Sequence, residues 1–566
     1  MQKKHAIGIT GAGIICAIGN NADEVRESLR NGISGIARMQ YLQSKHRDLP
    51  VGEVKMSTEQ MAAMLGLDTG KPLSRTSLMG SIALRQALKQ AGIKSLEGKR
   101  VAVVSGTTVG GMDVAERFWP EYKAGDRSIG LPMSNECGRS TKESVEYAGI
   151  PGAQCCTIST ACSSALNAIM TGSDMLLNDE ADIVLAGGTE GLSVFHLNGF
   201  NALMILDKER CRPFDATRAG LNLGEGAAFV VLEKDPDKAM AYISGYGNRC
   251  DAYHQTATSE NGDGAFLAMT EAIGMAGLKP EDIDYVSAHG TGTPDNDSSE
   301  SHALIRVFGR NMPPVSSTKA FTGHTTSASG SIETVICLLA MRDRFIPANL
   351  GWKYPIDGGI IPTLGADNMS LNHVLCNAFG FGGNDSSLVL SLDRSTLNAP
   401  VAEHEVTTAA DVLITSQEEL SSLKEFISPM ESRRMDTLMK AALLSAFRAL
   451  KASGVECPDA VITGTSHGML ETSHKFLDDI YQFGEETLKP TLFMQSTHNT
   501  IGSAIAIRTG CHGYNITYSQ CDDSLRWAVR DADFRICCGR SGVVLVGCYD
   551  ESENGIYART LILKRK

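Results

Sequence analysis

The chain has 566 residues, 42% of them hydrophobic and 57 of them glycine, which is material for about two to four packed domains and excludes a small stapled one. Its formal net charge of −13 argues against nucleic acid as the main partner, because that binding is driven by clustered basic groups that release counterions. Fifteen cysteines without regular spacing read as reduced thiols rather than a disulfide framework and point to the cytoplasm.

The chain opens MQKKHAIGITGAGIICAIGNN. A basic start and an apolar stretch imitate an export signal, but glycines at 8, 11, 13 and 19 interrupt it and no A-x-A-like site follows. A buried first strand ending in a glycine turn is expected instead. The third glycine of a G-x-G-x-x-G fingerprint would fall on Cys16, so no dinucleotide site is expected here. No apolar run reaches the ~18 residues of a membrane span.

Strand-like runs follow at VAVVSG (101–106), ADIVLAGG (181–188), AAFVVLE (227–233), DYVSAH (284–289) and SSLVLSL (386–392), alternating with helical stretches such as 78–91. This alternation predicts a layered α/β fold. Residues 397–409 read as a polar linker, after which a new α/β segment runs to residue 566.

That segment repeats the first. VAVVSGTTVGGM (101–112) is echoed by DAVITGTSHGML (459–470), ALKQAGI (87–93) by ALKASGV (449–455), and ADIVLAGGTE (181–190) by GVVLVGCYDE (542–551). A near-constant displacement over three pairs marks a partial second copy. It also explains the G-x-S-x-G around Ser466, which imitates a hydrolase elbow. Ser466 falls opposite Thr108, and turn geometry alone accounts for its glycines.

The strongest chemical signal is CTISTACSSALNAIM (156–170). An extended run enters Cys162 and a helical pattern leaves it, which places the thiol at a helix N-terminus, where backbone dipoles favour the attacking thiolate. A buried structural cysteine is the alternative. AHGTGTPDND (288–297) sets His289 on a glycine-rich turn, and STKAFTGHTTSASGSIE (317–333) sets His324 between Lys319 and Glu333; histidines on such turns are candidate site residues. In NAFGFGGNDSS (377–387), Phe379 and Phe381 are either core anchors or a gate on a flexible loop.

With TACSS, AHGTGTP, STKAFTGH and FGFGG in this order, and with CRPFDATRAGLNLGEGAA (211–228) and DAYHQTA (251–257), residues 1–396 resemble an elongating β-ketoacyl-acyl carrier protein synthase of the thiolase superfamily. The resemblance implies a thiolase fold of two pseudo-repeated βαβαβ layers, in halves 1–240 and 241–396. It also implies a decarboxylative Claisen condensation. Cys162 would carry the acyl group, His289 and His324 would bind the malonyl thioester carbonyl as charge develops, and Lys319 and Glu333 would support them. The N–H groups of Cys162 and Phe381 would serve the acyl oxyanion, with Phe381 as gate. No metal and no cofactor is implied beyond phosphopantetheine on an acyl carrier protein supplied in trans. The family typically forms homodimers, so a homodimer or a pairing with another ketosynthase-like subunit is expected. Two departures, Asn384-Asp385 for the usual Thr-Asn and Asn167 for a frequent histidine, bear on substrate preference.

Residues 410–566 resemble chain-length-factor-like ketosynthase N-terminal domains through SRRMDTLMKAALLSAFRAL (432–450), AVITGTSHG (460–468), STHNTIGSAIAIRTG (496–510) and SQCDDSL (519–525). Such domains accompany ketosynthases of aryl polyene synthesis, which suggests that pathway. Housekeeping fatty acid elongation with a structural tail, or a non-condensing scaffold, are the alternatives. The repeat register sets Cys521 opposite Cys162, yet no histidine follows His512, so the copy is expected to be non-catalytic. Its exposed apolar face should pack on the first domain or a partner.

Overall fold

The computed structural model describes residues 3–70, 72–126, 135–552 and 555–566. Among these residues one fifteen-stranded sheet organises the chain. Its strands are β1 (Ile7–Cys16), β2 (Val101–Gly106), β3 (Gln154–Ile158), β4 (Ile183–Glu190), β5 (Gly226–Lys234), β6 (Ala241–Cys250), β7 (Tyr285–Ser287), β8 (Val315–Ser316), β9 (His373–Gly380) and β10 (Asn384–Ser391), followed by β11 (Val406–Ile414), β12 (Ala460–Gly464), β13 (Tyr514–Tyr518), β14 (Val543–Ser552) and β15 (Gly555–Arg565). Seven helices position the site: α1 (Arg75–Gln90), α2 (Ser164–Leu177), α3 (Val194–Ala202), α4 (Ser329–Asp343), α5 (Thr437–Ser453), α6 (Thr500–Thr509) and α7 (Ser524–Cys537).

The sheet runs β11-β15-β14-β12-β13-β3-β2-β4-β5-β1-β6-β10-β9-β7-β8, in which one five-strand order occurs three times. Strands β1-β5-β4-β2-β3 form the first half, β6-β10-β9-β7-β8 the second, and β11-β15-β14-β12-β13 the tail. The two halves are the repeated layers of a thiolase fold. Between them lie α2 and α4, which pack on each other, on β2 and β4, and on β5 and β9. All residues of α4 from Ser329 to Met341 are buried. A helix enclosed on every side loses its polar face, which is why both sequences are rich in small and apolar residues.

The tail meets the first half through one antiparallel junction, with Tyr518 opposite Ile158. Ser159 N donates to Thr517 O at 2.9 Å, and Ser519 N to Thr157 O at 2.9 Å. Thr157 Oγ1 reaches Gln520 Oε1 at 2.6 Å. The edge of β3 is therefore filled by the chain's own tail. The apolar faces of α5 and α6 pack with β12, β14 and β15 in a second core that also takes in Cys250, while the tail's other face, with Ile462, Ile516, Tyr518, Trp527 and Ile536, joins the core of the first domain, as expected.

Matching turns at the ends of β3 and β13 fix the register of the copies. Ser164 Oγ accepts from Thr160 N at 2.9 Å and donates to Ala161 O at 2.6 Å. Ser524 Oγ accepts from Gln520 N at 2.9 Å and donates to Cys521 O at 2.6 Å. Ala161 and Cys521 share the left-handed region, at φ 53 and 47. Cys521 thus corresponds to Ala161, and the counterpart of Cys162 is Asp522. The sequence register falls one residue out because the displacement between copies is not constant: Gly106 matches Gly464, each meeting the start of its following helix near Ser164 or Ser524, while Ala161 matches Cys521.

The linker expected at 397–409 also needs correction. Leu397–Asn398 pairs with Lys4–His5, and β11 already begins at Val406. As an outer strand β11 exposes Thr407 and Thr408, and an edge strand with polar side chains reads like a loop. No described helix is long and apolar enough to cross a membrane.

Ser519→Pro would remove one junction N–H and, by leaving Thr157 O without that partner, is expected to cost about 1–3 kcal/mol, read as a lower urea midpoint by circular dichroism. An unchanged midpoint would mean the junction contributes nothing.

Candidate active site

Cys162 follows β3 through the Ala161 turn and stands at the start of α2, 6% exposed. His324 enters on a loop whose backbone is pinned to residues 222–224, with His324 N donating to Asn222 O at 2.7 Å and Gly224 N donating to His324 O at 2.9 Å. Its Nε2 lies 3.0 Å from Cys162 Sγ. His289 follows β7, its ring edge-on to His324 with centroids 5.3 Å apart. The reactive atoms of the three all lie within 4.8 Å of one another, so residues from three distant motifs converge on one point.

Lys319 and Glu333 sit behind the histidines. Lys319 Nζ donates to Glu333 Oε1 at 2.5 Å and to His289 O at 2.5 Å, and it approaches His289 Nδ1 at 3.4 Å. These contacts assign the tautomers. His289 Nδ1 faces an ammonium and must accept, which leaves its proton on Nε2 in the pocket. His324 Nδ1 has no partner among the described residues; a bare buried acceptor is less costly than a bare buried donor, so the proton again belongs on Nε2, facing Cys162. Burial, reinforced by the Lys319 charge, holds both histidines well below the usual imidazole range. Both are neutral donors at neutral pH.

Burial pushes the Cys162 thiol up to about 12, against the pull of the Lys319 charge and of the N–H groups of Phe381 and Cys162 itself. Desolvation of the charged sulfur thus opposes the thiolate that the helix N-terminus favours. The two N–H groups that face the sulfur are those assigned to the acyl oxyanion. Gly380 is required here: a Cβ would stand 2.7 Å from Thr160 O. Phe381 stacks on Phe200 of α3, centroids 5.7 Å apart, and both rings line a cavity of 380 Å³ that also contains Cys162, His289 and His324. Met204, 87% exposed, stands at its mouth. Phe379 packs 5.8 Å from His289 inside the core, so of the two phenylalanines only Phe381 suits a gate.

Cys162, His289 and His324 also satisfy metal-ligand spacing. The buried ammonium beside His289 opposes a second cation, and the arrangement fits hydrogen-bond donation better than coordination.

Several contributors were not identified from sequence. Glu300 accepts from His289 N at 2.9 Å and Gly290 N at 2.7 Å, fixing that turn, and burial pushes its carboxyl up to about 7. Its position on the helix Pro294–Phe308, just after the histidine motif, was the available signal. The two departures form one network. Asn167 Oδ1 accepts from Asn248 Nδ2 at 2.8 Å and Ser386 Oγ at 3.0 Å, while Asn248 and Asn384 both donate to Asn515 O in the tail, at 3.1 and 3.2 Å. Ser466 Oγ donates to Cys521 O at 2.8 Å. Cys521 is half-buried, with burial and Glu136 raising its thiol.

Residues 4–238 match the family model for the β-ketoacyl synthase N-terminal domain, residues 240–353 that for its C-terminal domain, and residues 407–562 a second N-terminal domain model. The 3-oxoacyl-[acyl-carrier-protein] synthase 2 of Coxiella burnetii is 33% identical over 418 residues, 69% of this chain and 99% of that protein; that of Vibrio cholerae is 30% identical over the same shares. Among solved structures, a ketosynthase in complex with its chain length factor from Xenorhabdus doucetiae is 30% identical with a TM-score of 0.59, covering 69% of this chain and 98% of that one. The ishigamide ketosynthase/chain length factor is 28% identical with a TM-score of 0.64, covering 69% and 100%. The PfaC keto synthase-chain length factor, 16% identical, shares the fold over 99% of this chain and 78% of its own, with a TM-score of 0.78.

Alkylation of Cys162 by iodoacetamide, followed by mass spectrometry, is expected to accelerate about tenfold per pH unit from about pH 7 to 9, since the thiolate fraction has that slope below its pKa. A rate already level at pH 7 would mean that the helix field had overcome burial.

Proposed function

The chain belongs to the β-ketoacyl synthase family, and from that premise we propose how its residues divide a decarboxylative Claisen condensation between an acyl thioester and malonyl-acyl carrier protein. Cys162 Sγ attacks the acyl thioester carbonyl, and the N–H groups of Cys162 and Phe381 hold the oxyanion. The tetrahedral intermediate collapses with loss of the phosphopantetheine sulfur, which takes the thiol proton and departs, leaving the acyl group on Cys162. Malonyl-carrier protein then enters past Phe381. As its carboxylate leaves as carbon dioxide, the bonding pair becomes an enolate whose oxygen lies between the Nε2–H groups of His289 and His324. The enolate carbon attacks the acyl-Cys162 carbonyl, the sulfur is expelled, and β-ketoacyl-carrier protein is released.

The observation that carries this reading is the pair of neutral imidazole donors converging on one thiol. An imidazolium would quench the carbanion by protonating it, whereas a neutral N–H stabilises the developing charge and keeps its proton. Lys319 keeps both rings neutral and oriented, and Glu333 balances its charge.

The tail is read as a chain-length-factor-like half that pairs in cis. Its support is Asp522 at the nucleophile position, the antiparallel junction, and the likeness to ketosynthases that are paired with such factors. The carrier protein is a partner in trans, in the cytoplasm. A polyene product rather than a housekeeping fatty acid is the finer proposal, resting on the resemblance of the tail. Faster malonyl consumption with polyunsaturated than with saturated acyl-carrier substrates supports it, and the reverse order favours fatty acid elongation.

In a condensation assay read by mass spectrometry of the carrier protein, Cys162→Ala is expected to abolish product while Cys521→Ala stays within about twofold of the parent. Equal losses in the two variants would sink the assignment. His289→Ala should lower kcat by about 10²–10³ with a smaller change in KM, because the donor acts on charge that develops during reaction.

A further inference from the structure

Asn499 occupies the N-cap position of α6, where asparagine ordinarily accepts a hydrogen bond from its own first turn. Its side chain makes no such bond. Instead the amide nitrogen crosses from the tail to the first domain and donates to Phe381 O at 2.9 Å and to Asn384 Oδ1 at 2.7 Å. These two acceptors flank the Gly382-Gly383 turn, whose glycines both lie in the left-handed region, at φ 86 and 75. Asn499 is 1% exposed. A buried residue that abandons its local role for a distant contact marks a functional position.

A second feature of the same helix faces the turn. Ser503, the next turn of α6, lies so close that a Cβ on Gly382 would stand 2.1 Å from its Oγ. Neither Ser503 Oγ nor Asn499 Oδ1 has a partner among the described residues, so this end of α6 holds polar groups that its own domain does not use. The ring of Phe381 is bounded by the tail as well. It stacks on Phe200, and Phe200 meets Phe493 of the tail segment Pro490–Ser496 edge-on with centroids 5.3 Å apart.

We propose that Asn499 is a positioning residue of the condensation: by anchoring the carbonyl of Phe381 from the tail, it fixes the residue whose N–H faces Cys162 Sγ. This rests on Phe381 serving the acyl oxyanion, as set out above. The steps that form that oxyanion, loading of Cys162 and carbon–carbon bond formation, then depend on the tail. Loss of carbon dioxide, whose enolate is held by His289 and His324, does not.

The test uses the full chain with hexanoyl- and malonyl-acyl carrier protein and compares the parent with Asn499→Ala, Asn499→Asp and Cys162→Ala. Asn499→Ala is expected to slow Cys162 loading and condensation about tenfold, the scale of one lost buried hydrogen bond, while malonyl decarboxylation stays within about twofold. The ratio of carbon dioxide released to β-ketoacyl product therefore rises. Asn499→Asp, of equal size but without the donor, should behave at least as badly, because its carboxylate faces Phe381 O. Parental rates and ratio in Asn499→Ala would overturn the proposal, and so would a uniform fall in loading, condensation, decarboxylation and Tm, which is the signature of simple destabilisation. Product from Cys162→Ala would instead overturn the underlying reaction assignment.

Discussion

The architecture depends on one short antiparallel contact, between residues 157–159 and 517–519. It lies immediately before Cys162 in the chain, so whatever pairs with β3 also determines what stands beside the nucleophile. Through it the tail's copy of the five-strand order becomes continuous with the first half. Asn499, Asn515 and Phe493 are carried to within bonding or ring-contact distance of the gate turn, the Asn167 network and Phe200 respectively. The cavity is lined by residues up to Gly383, and a half fold without a nucleophile thereby becomes the support behind the wall of that site.

Within that wall the chemistry is governed by burial. The deeply buried Lys319–Glu333 pair is a costly arrangement for stability, and its return is electrostatic. A fixed positive charge beside His289 depresses the imidazoles and partly offsets the desolvation of the Cys162 sulfur. The site combines a reluctant thiol with reluctant bases. Both are suited to transient charge that appears only when substrate atoms are present, since preorganised donors in a dry site act most strongly on charge that forms there.

The converging trio Cys162, His289 and His324 was legible as candidate residues in the sequence because each member sits in a short segment with its own local grammar: a strand-to-helix turn for Cys162 and glycine-rich turns for His289 and His324. The tail was legible as a repeat because buried strands constrain their residues in both copies. What escaped were relations between segments. Glu300 resembles any polar helical residue until the fold turns it toward the His289 peptide, and Asn499 looks like an ordinary cap until α6 is set against Gly382. Cys521 was misplaced by a single residue, enough to exchange a strained turn position for the nucleophile's. β11 passed for a linker because an outer strand shows polar side chains to solvent.

The cis pairing at β3 has a consequence for how this molecule can change. In a symmetric pair every substitution is made twice and must suit both faces of the contact at once. Here the two faces are separate stretches of one gene product, so each can drift or be redesigned alone, at a fixed one-to-one ratio and with no dependence on concentration. One side carries a thiol after the left-handed turn, and the other carries Asp522 there and lends its helix to the gate turn instead.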